Sequence, residues 1–142
     1  MPTEKSQQSV GLFILSYLGF LTHLGLETLT LHFSRESINP EEWQGIVDYM
    51  MAPSTEWTLA IFALLTMVPV ALSIFSVSRA TWLATAITGG LMTLLHAAHY
   101  LGELSESFGA VGAMSLVFHV VPSAVASWLA WRSSKLAPGA AS

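Results

Sequence analysis

Four long hydrophobic stretches, joined by polar connections, dominate the 142-residue chain. They cover approximately residues 9–33, 55–77, 80–104 and 108–131. Each exceeds the roughly 20 residues that a helix needs to cross a hydrocarbon core of about 30 Å. Backbone groups inside a bilayer must be hydrogen-bonded within the chain, which favours helices. The pattern therefore predicts an all-α integral membrane protein: one domain over residues 1–142, folded as a four-transmembrane-helix up-down bundle.

A different pattern occupies residues 40–51, between the first two stretches. Pro40 suits the first position of a helix, and Glu41 and Glu42 favour its first turn. The larger hydrophobic residues then recur at i, i+3, i+4 and i+7, namely Trp43, Ile46, Val47 and Met50. This spacing is typical of a short amphipathic helix lying on a membrane surface. It either anchors the loop at the interface or acts as a lid over the bundle.

The composition argues against a soluble domain, against cysteine chemistry and against nucleic-acid binding. Hydrophobic residues make up 53% of the chain and charged residues only 10%, whereas soluble domains carry about 25% charged residues. The absence of cysteine excludes disulfides, iron–sulfur clusters and thiol catalysis. A net charge of −4 without a basic patch argues against nucleic acid as a partner.

The basic residues predict an orientation. Four of them fall on one side of the predicted membrane, namely Lys5, Arg79, Arg132 and Lys135, and Arg35 alone falls on the other. The positive-inside rule then places both termini in the cytoplasm, and we expect a bacterial inner membrane. Tryptophan and tyrosine are enriched at membrane interfaces. We therefore expect Trp82, Trp128 and Trp131 at the inner interface, with Trp57 and Tyr100 at the outer one.

Ionisable residues within the hydrophobic stretches are the main functional signal. A charged side chain at the centre of a membrane helix costs about 2.5–3.5 kcal/mol, and such residues usually mark function. His23 and Glu27 are four residues apart in the first stretch and share a helix face. The third stretch carries His96, His99 and Glu103 at i, i+3 and i+7, and the fourth carries His119.

The depths of three histidines agree. At a rise of about 1.5 Å per residue, His23, His96 and His119 lie about 15, 12 and 16 Å below the outer ends of their helices. Three helices thus deliver imidazoles to one layer in the outer half of the bundle. A single histidine in a membrane helix often has only a structural role, as a side chain that hydrogen-bonds a neighbouring helix. His32, at the end of the first stretch, is expected to be an interfacial side chain.

This combination of residues predicts a metal site. Imidazole suits zinc, copper and iron, and carboxylate ligands extend the choice towards iron and manganese. The expected ligands, for one metal or for two, are His23, Glu27, His96, His99, His119 and Glu103. Glu27 is either a ligand or the catalytic proton acceptor. The sequence therefore predicts a membrane oxidoreductase, redox or oxygen-using, with iron, copper or zinc and a lipophilic substrate that arrives from the lipid.

Two alternatives stay open. A b-type haem would take His23 with His96 or His99 as axial ligands, and would transfer electrons to or from a quinone or act as a haem enzyme. A metal-ion or proton carrier is the second alternative, although the inner halves of the helices offer only hydroxyls and glycines for a pathway. A chain of this size is compatible with a homo-oligomer or a partner subunit, and no interface motif decides between them.

Overall fold

The computed structural model describes residues 4–104 and 109–137, and all regular secondary structure in these two ranges is helical. The elements are α1 (Glu4–Ser34), a 3-10 turn (Arg35–Ser37), α2 (Pro40–Met50), α3 (Pro53–Phe75), α4 (Arg79–Glu103), α5 (Gly109–Ser115), a π-helical turn (Leu116–Val120) and α6 (Val121–Leu136). The predicted all-helical fold is confirmed. We call α5, the π-helical turn and α6 together the last segment.

The observed bounds extend or trim the predicted ones at several ends. Helix α1 begins five residues before the predicted start at residue 9, and α6 runs five residues past the predicted end at residue 131. Helix α3 begins and ends two residues earlier than the predicted range, 55–77. The predicted helix at residues 40–51 is present as α2.

Within the described ranges, three helices are long and apolar enough to span a membrane, namely Gln7–Ser37, Pro53–Phe75 and Ala110–Leu136. The sequence predicted four. Helix α4 has 25 residues and the required length. It is not among these three, and its polar residues include four threonines together with His96 and His99.

Local capping explains where α2 and α4 begin. The Asn39 side chain accepts a hydrogen bond of 2.8 Å from the backbone N–H of Glu42 at the start of α2. Ser78 and Thr81 form a capping box at the start of α4, in which each side chain bonds the other's backbone N–H. Such caps satisfy the amide groups that the first turn of a helix leaves unpaired. The turn between α3 and α4 is consequently short.

The long helices form a bundle in which each one packs against two neighbours. Helix α1 contacts α3 and the last segment, and α4 contacts the same two elements. Near the end where α1 begins and α6 ends, a cluster of buried hydrophobic residues joins α1, α4 and α6, namely Phe13, Trp82, Ala126 and Ala130. A Cβ atom added to Gly89 would lie 2.5 Å from Ser127 Oγ and 2.6 Å from Phe13 Cζ. We call Phe13, Trp82, Gly89, Ala126 and Ala130 the small-residue core.

Trp82 corrects one prediction. The aromatic-belt rule placed it at the membrane interface, but its side chain is only 6% exposed and packs in the small-residue core. The alanines opposite it leave room for the indole between the helices. Trp128 and Trp131 are 50% and 44% exposed, as interfacial residues would be.

The π-helical turn follows from Pro122. Proline has no backbone N–H and its ring crowds the carbonyl four residues earlier, which here belongs to Phe118. The backbone widens there, and the N–H of Val121 donates to the carbonyl of Leu116, five residues back. Single π turns of this kind are often found at functional sites. This one carries His119.

Candidate functional site

Three histidines and one tyrosine meet in the interior of the packed helices. His23 comes from α1, His96 and Tyr100 from α4, and His119 from the π-helical turn. None of these four side chains is more than 2% exposed. We call this group the histidine layer. The structure thus brings together the three histidines that the depth comparison placed at one level.

The rings of the histidine layer are in direct contact. The centroids of His96 and His119 are 4.3 Å apart, with the rings edge to face. The Tyr100 centroid lies 4.6 Å from His23 and 5.9 Å from both His96 and His119. Tyr100 therefore joins His23 to the His96–His119 pair.

His119 is fixed by a reciprocal interaction with α1. The Ser16 hydroxyl donates a 2.9 Å hydrogen bond to the carbonyl of His119. In return, Nδ1 of His119 bonds the carbonyl of Ser16. A carbonyl oxygen can only accept, so Nδ1 carries the ring proton and Nε2 carries the lone pair. That buried Nε2 has no hydrogen-bond partner among the residues that the structure describes.

His96 is oriented by its own helix. Its Nδ1 lies 2.8 Å from the carbonyl of Met92 and donates to it. Nε2 is then the lone-pair nitrogen of this ring as well. The Thr66 hydroxyl of α3 lies 3.4 Å from Nε2 and also donates to the carbonyl of Phe62, at 2.7 Å.

His23 has a comparable arrangement. Its Nδ1 lies 2.9 Å from the Ser115 hydroxyl. Because that hydroxyl donates to the carbonyl of Val111, it accepts from Nδ1 of His23. The Nε2 of His23 lies 3.7 Å from a carboxylate oxygen of Glu27. All three histidines thus direct Nδ1–H at an oxygen and keep Nε2 as the basic nitrogen, as metal-binding histidines do.

Two phenylalanines border the histidine layer. Phe20 is buried, with its centroid 5.3 Å from His96 and 5.7 Å from His119. Phe62 lies 4.7 Å from His96. These rings surround the paired imidazoles with apolar surface, which strengthens electrostatic interactions there by lowering the local dielectric constant.

The remaining predicted site residues lie further out. His99 is exposed, although its ring centroid is 5.9 Å from that of His23. The Glu27 side chain is 37% exposed. His32 is exposed against Phe33 at the end of α1, away from the histidine layer. Glu103 ends α4, and its side chain falls outside the described part of the chain.

Tyr100 is the site residue that sequence reasoning missed. It was assigned to the outer interface, but it is fully buried and contacts His23, His96, His99 and His119. A signal was present in the sequence. Tyr100 follows His96 by four residues, so the two share a helix face, about 40° apart.

A groove on the outside of the packed helices reaches the histidine layer. It has a volume of about 280 Å³ and runs between α1 and the last segment. Most of its lining is apolar, and its polar members are Thr22, His23 and Ser115. The lining residues are Leu15, Leu18, Gly19, Thr22, His23, Leu26, Met114, Ser115 and Phe118.

Across residues 4–104 and 109–137, no group of three or more histidine, aspartate or glutamate side chains is arranged to hold a metal ion. Each histidine of the layer has its own hydrogen bond that orients its ring, but the three Nε2 atoms do not surround one common position where a metal ion would be fully coordinated. A metal held here would start from the close His96–His119 pair. A third protein ligand would require side-chain movement.

Comparison with known proteins adds no assignment: the chain matches no family model, no curated protein and no solved structure.

Proposed function

We propose that the chain is an integral membrane protein whose four long helices all cross the bilayer, with both termini in the cytoplasm. The distribution of side chains supports this. Large hydrophobic residues cover the outside, including Trp57, Leu64 and Phe75, which are 68%, 64% and 76% exposed. Buried polar side chains outnumber buried hydrophobic ones among the described residues. A water-soluble protein has the opposite distribution.

Helix α4, which is not among the three spans identified above, fits the same proposal because several of its polar groups are buried or bonded locally. His96 and Thr85 are fully buried. The hydroxyls of Thr88 and Thr93 donate to carbonyls of their own helix. Helix α4 can therefore cross a bilayer among neighbouring helices without exposing these groups to lipid.

At the histidine layer we propose a transition-metal site. His96 and His119 would bind the ion through Nε2, with iron, copper or zinc as the metals that imidazole favours. The observation that carries this proposal is the buried Nε2 of His119, which has no hydrogen-bond partner among the described residues. Leaving a buried acceptor unpaired costs about 1–3 kcal/mol, and a bound metal ion would remove that cost.

The groups beside this pair suit a catalytic site. His23 would be the third protein ligand. Glu27, whose carboxylate lies 3.7 Å from Nε2 of His23 and whose side chain is partly exposed, would accept or deliver a proton. A bound metal would supply redox or Lewis-acid chemistry. With few protein ligands, positions remain for water or substrate, as in catalytic rather than structural metal sites.

The groove supports a lipophilic substrate. It opens on the side of the packed helices rather than at their ends, and its lining is largely apolar. In a membrane, this face would be in contact with lipid. A hydrophobic molecule with a polar end could lie along Leu15 and Phe118 and present that end to His23 and Ser115. We therefore propose an oxidoreductase that takes its substrate from the bilayer.

The b-type haem is less well supported than a bare metal ion. The rings of the layer touch one another and Phe20 at centroid separations of 4.3–5.9 Å. A porphyrin between them would have to separate the helices. A carrier is less well supported because the buried polar groups towards the termini are hydroxyls, which offer no ionisable relay. These include Ser9, Ser73, Thr85, Ser127, Ser133 and Ser134.

Elemental analysis of detergent-purified protein, together with its visible absorption spectrum, tests the proposal. We expect one or two transition-metal ions per chain without a Soret band, and loss of the metal in the variants His96→Ala and His119→Ala. His32→Ala is the matched control and should retain the metal, since His32 is exposed and remote from the layer. A Soret band would select the haem. Metal-free wild-type protein after expression and reconstitution with iron, copper and zinc would refute the proposed metal site.

A further inference from the structure

A second pocket lies on α6, near the end of the packed helices where α1 begins and α6 ends. Its volume is about 390 Å³. Its lining consists of Trp128, Trp131, Arg132, Lys135 and Leu136, all on one helix. It shares no residue with the histidine layer or with the groove. We call it the basic pocket.

The two cations of the basic pocket are placed by the two indoles. The guanidinium carbon of Arg132 lies 4.9 Å from the Trp128 ring centroid. The ammonium nitrogen of Lys135 lies 3.6 Å from that of Trp131. Cation–π contacts of this kind hold a charge in position. They occupy one face of an arginine and leave its edge N–H groups available to an oxyanion.

In the described ranges, the basic pocket has no counter-charge. Among the residues that the structure describes, no carboxylate lies within ion-pairing distance of Arg132 or Lys135. Glu4, the acidic residue nearest the N-terminus, is engaged with Gln8 on its own helix. The other acidic residues of the described ranges are Glu27, those between residues 36 and 56, and Glu103 at the end of α4. Two positive charges beside exposed indoles are therefore without a carboxylate partner in the part of the chain that the structure describes.

We propose that the basic pocket binds the head group of an anionic phospholipid. The phosphate would lie between Arg132 and Lys135, and the acyl chains would run along the apolar outside of α6. The half-exposed indoles of Trp128 and Trp131 suit the boundary between head groups and hydrocarbon. Basic residues at this depth attract anionic lipid in preference to zwitterionic lipid. The inference depends on the proposed membrane location but not on the proposed metal.

Native mass spectrometry of the full-length protein, titrated in detergent with phosphatidylglycerol or with phosphatidylcholine of the same acyl chains, tests this proposal. We expect tight retention of phosphatidylglycerol only. The double variant Arg132→Gln/Lys135→Gln should weaken that binding roughly 30-fold, because each basic residue near the surface contributes a factor of about five. The variant Arg132→Lys/Lys135→Arg, which keeps both charges, should retain most of it.

Arg79→Gln supplies the matched control, because Arg79 is an exposed basic residue at the same end but outside the basic pocket. Its phosphatidylglycerol binding should equal that of the wild type. Equal binding of the two lipids by the wild type, or an equal loss in Arg79→Gln, would overturn the proposal. Displacement of phosphatidylglycerol by millimolar inorganic phosphate would do the same, since it would make the free ion the ligand. Failure of the membrane location itself would be visible separately, as protein in the soluble fraction.

Discussion

The histidine layer and the small-residue core are held together by different forces. In the small-residue core, glycine and alanine let helices approach closely around Phe13 and Trp82. One hydroxyl crosses to this core, since Ser9 of α1 donates a 3.0 Å hydrogen bond to the carbonyl of Ala126, whereas the neighbouring Ser127 bonds the carbonyl of Ser123 on its own helix. In the histidine layer the polar groups bond across helices, between Ser16 and His119 and between His23 and Ser115.

This difference separates a packing function from a chemical one. Steric fit alone suffices to join helices, since small residues at an interface stabilise membrane helix pairs without polar groups. The histidine layer has cross-helix hydrogen bonds that fix ring orientation, in addition to aromatic packing. We infer that the fold needs the small-residue core for stability and uses the histidine layer for binding.

The substitution Gly19→Ala should have the largest effect because it disturbs both the close packing of α1 against the π-helical turn and the position of His119. Its Cβ would collide with the carbonyl of Phe118 in the π-helical turn, and backbone atoms cannot rotate away. We expect a loss of about 1–3 kcal/mol in the free energy of unfolding, as for other overpacked sites. Denaturant titration in detergent, followed by tryptophan fluorescence, would measure this.

Metal content should fall in the same variant, because the turn that must move carries His119. Gly25→Ala is the matched control on the same helix, where an added Cβ meets nothing within 4 Å. Similar stabilities of the two variants would show that α1 and the π-helical turn are not in the close contact described.

Ser16→Ala should have the next largest effect. It removes the hydroxyl that donates to the His119 carbonyl, which contributes about 0.5–1.5 kcal/mol. It would also loosen His119, the proposed metal ligand, but it keeps the Ser16 carbonyl that accepts from Nδ1, so we expect metal affinity to fall by about 10-fold, the lower end of the range for changes around a metal ligand. Metal affinity by competition with a chelator, and unfolding in detergent, are the two measurements.

Ser133→Ala is the control for this serine, since the buried Ser133 hydroxyl has no hydrogen-bond partner among the described residues. Its removal should leave stability unchanged or slightly improved, because no hydrogen bond is lost. An equal cost for the two alanines would mean that the Ser16–His119 interaction contributes no more than serine packing does.

Gly89→Ala tests the small-residue core by itself. The new Cβ would meet the Phe13 ring and the Ser127 hydroxyl at 2.5–2.7 Å. These are side-chain atoms, which can yield, so we expect a loss near the lower end of the range for overpacking, about 1 kcal/mol. Metal affinity should be unchanged. A large fall in metal affinity with little change in stability would contradict the separation of the two regions.

Thr66→Val should have the smallest effect. Its hydroxyl lies 3.4 Å from Nε2 of His96, a long contact, and polar contacts between membrane helices average about 0.6 kcal/mol. We expect a stability change no larger than that, measured by the same unfolding titration. A loss above 2 kcal/mol would show that Thr66, rather than a metal, is the main partner of His96.

The sequence could predict the helices and the common level of three histidines, because both follow from helical rise and from the polarity of the stretches. It could not predict which aromatic residues turn inward. Tyr100 and Trp82 were assigned to interfaces by a statistical preference, but each is buried beside its helix neighbours. Tertiary packing, which no local pattern encodes, decides their positions.

The exposure of His99 has a simpler cause. Along a helix it lies about 60° from His96 on one side, whereas Tyr100 lies about 40° away on the other. Rotation of α4 that buries His96 and Tyr100 together therefore turns His99 towards the outside. The π-helical turn could not be predicted from the sequence either, because a proline such as Pro122 is equally compatible with a simple kink.

X-ray absorption spectroscopy at the edge of the metal that elemental analysis identifies tests the central claim most directly. We predict scattering from at least two imidazole ligands, at about 2.0–2.1 Å if the metal is zinc. The imidazole signal should disappear in the double variant His96→Ala/His119→Ala. A metal surrounded by oxygen ligands alone, or an imidazole signal that persists in the double variant, would contradict it.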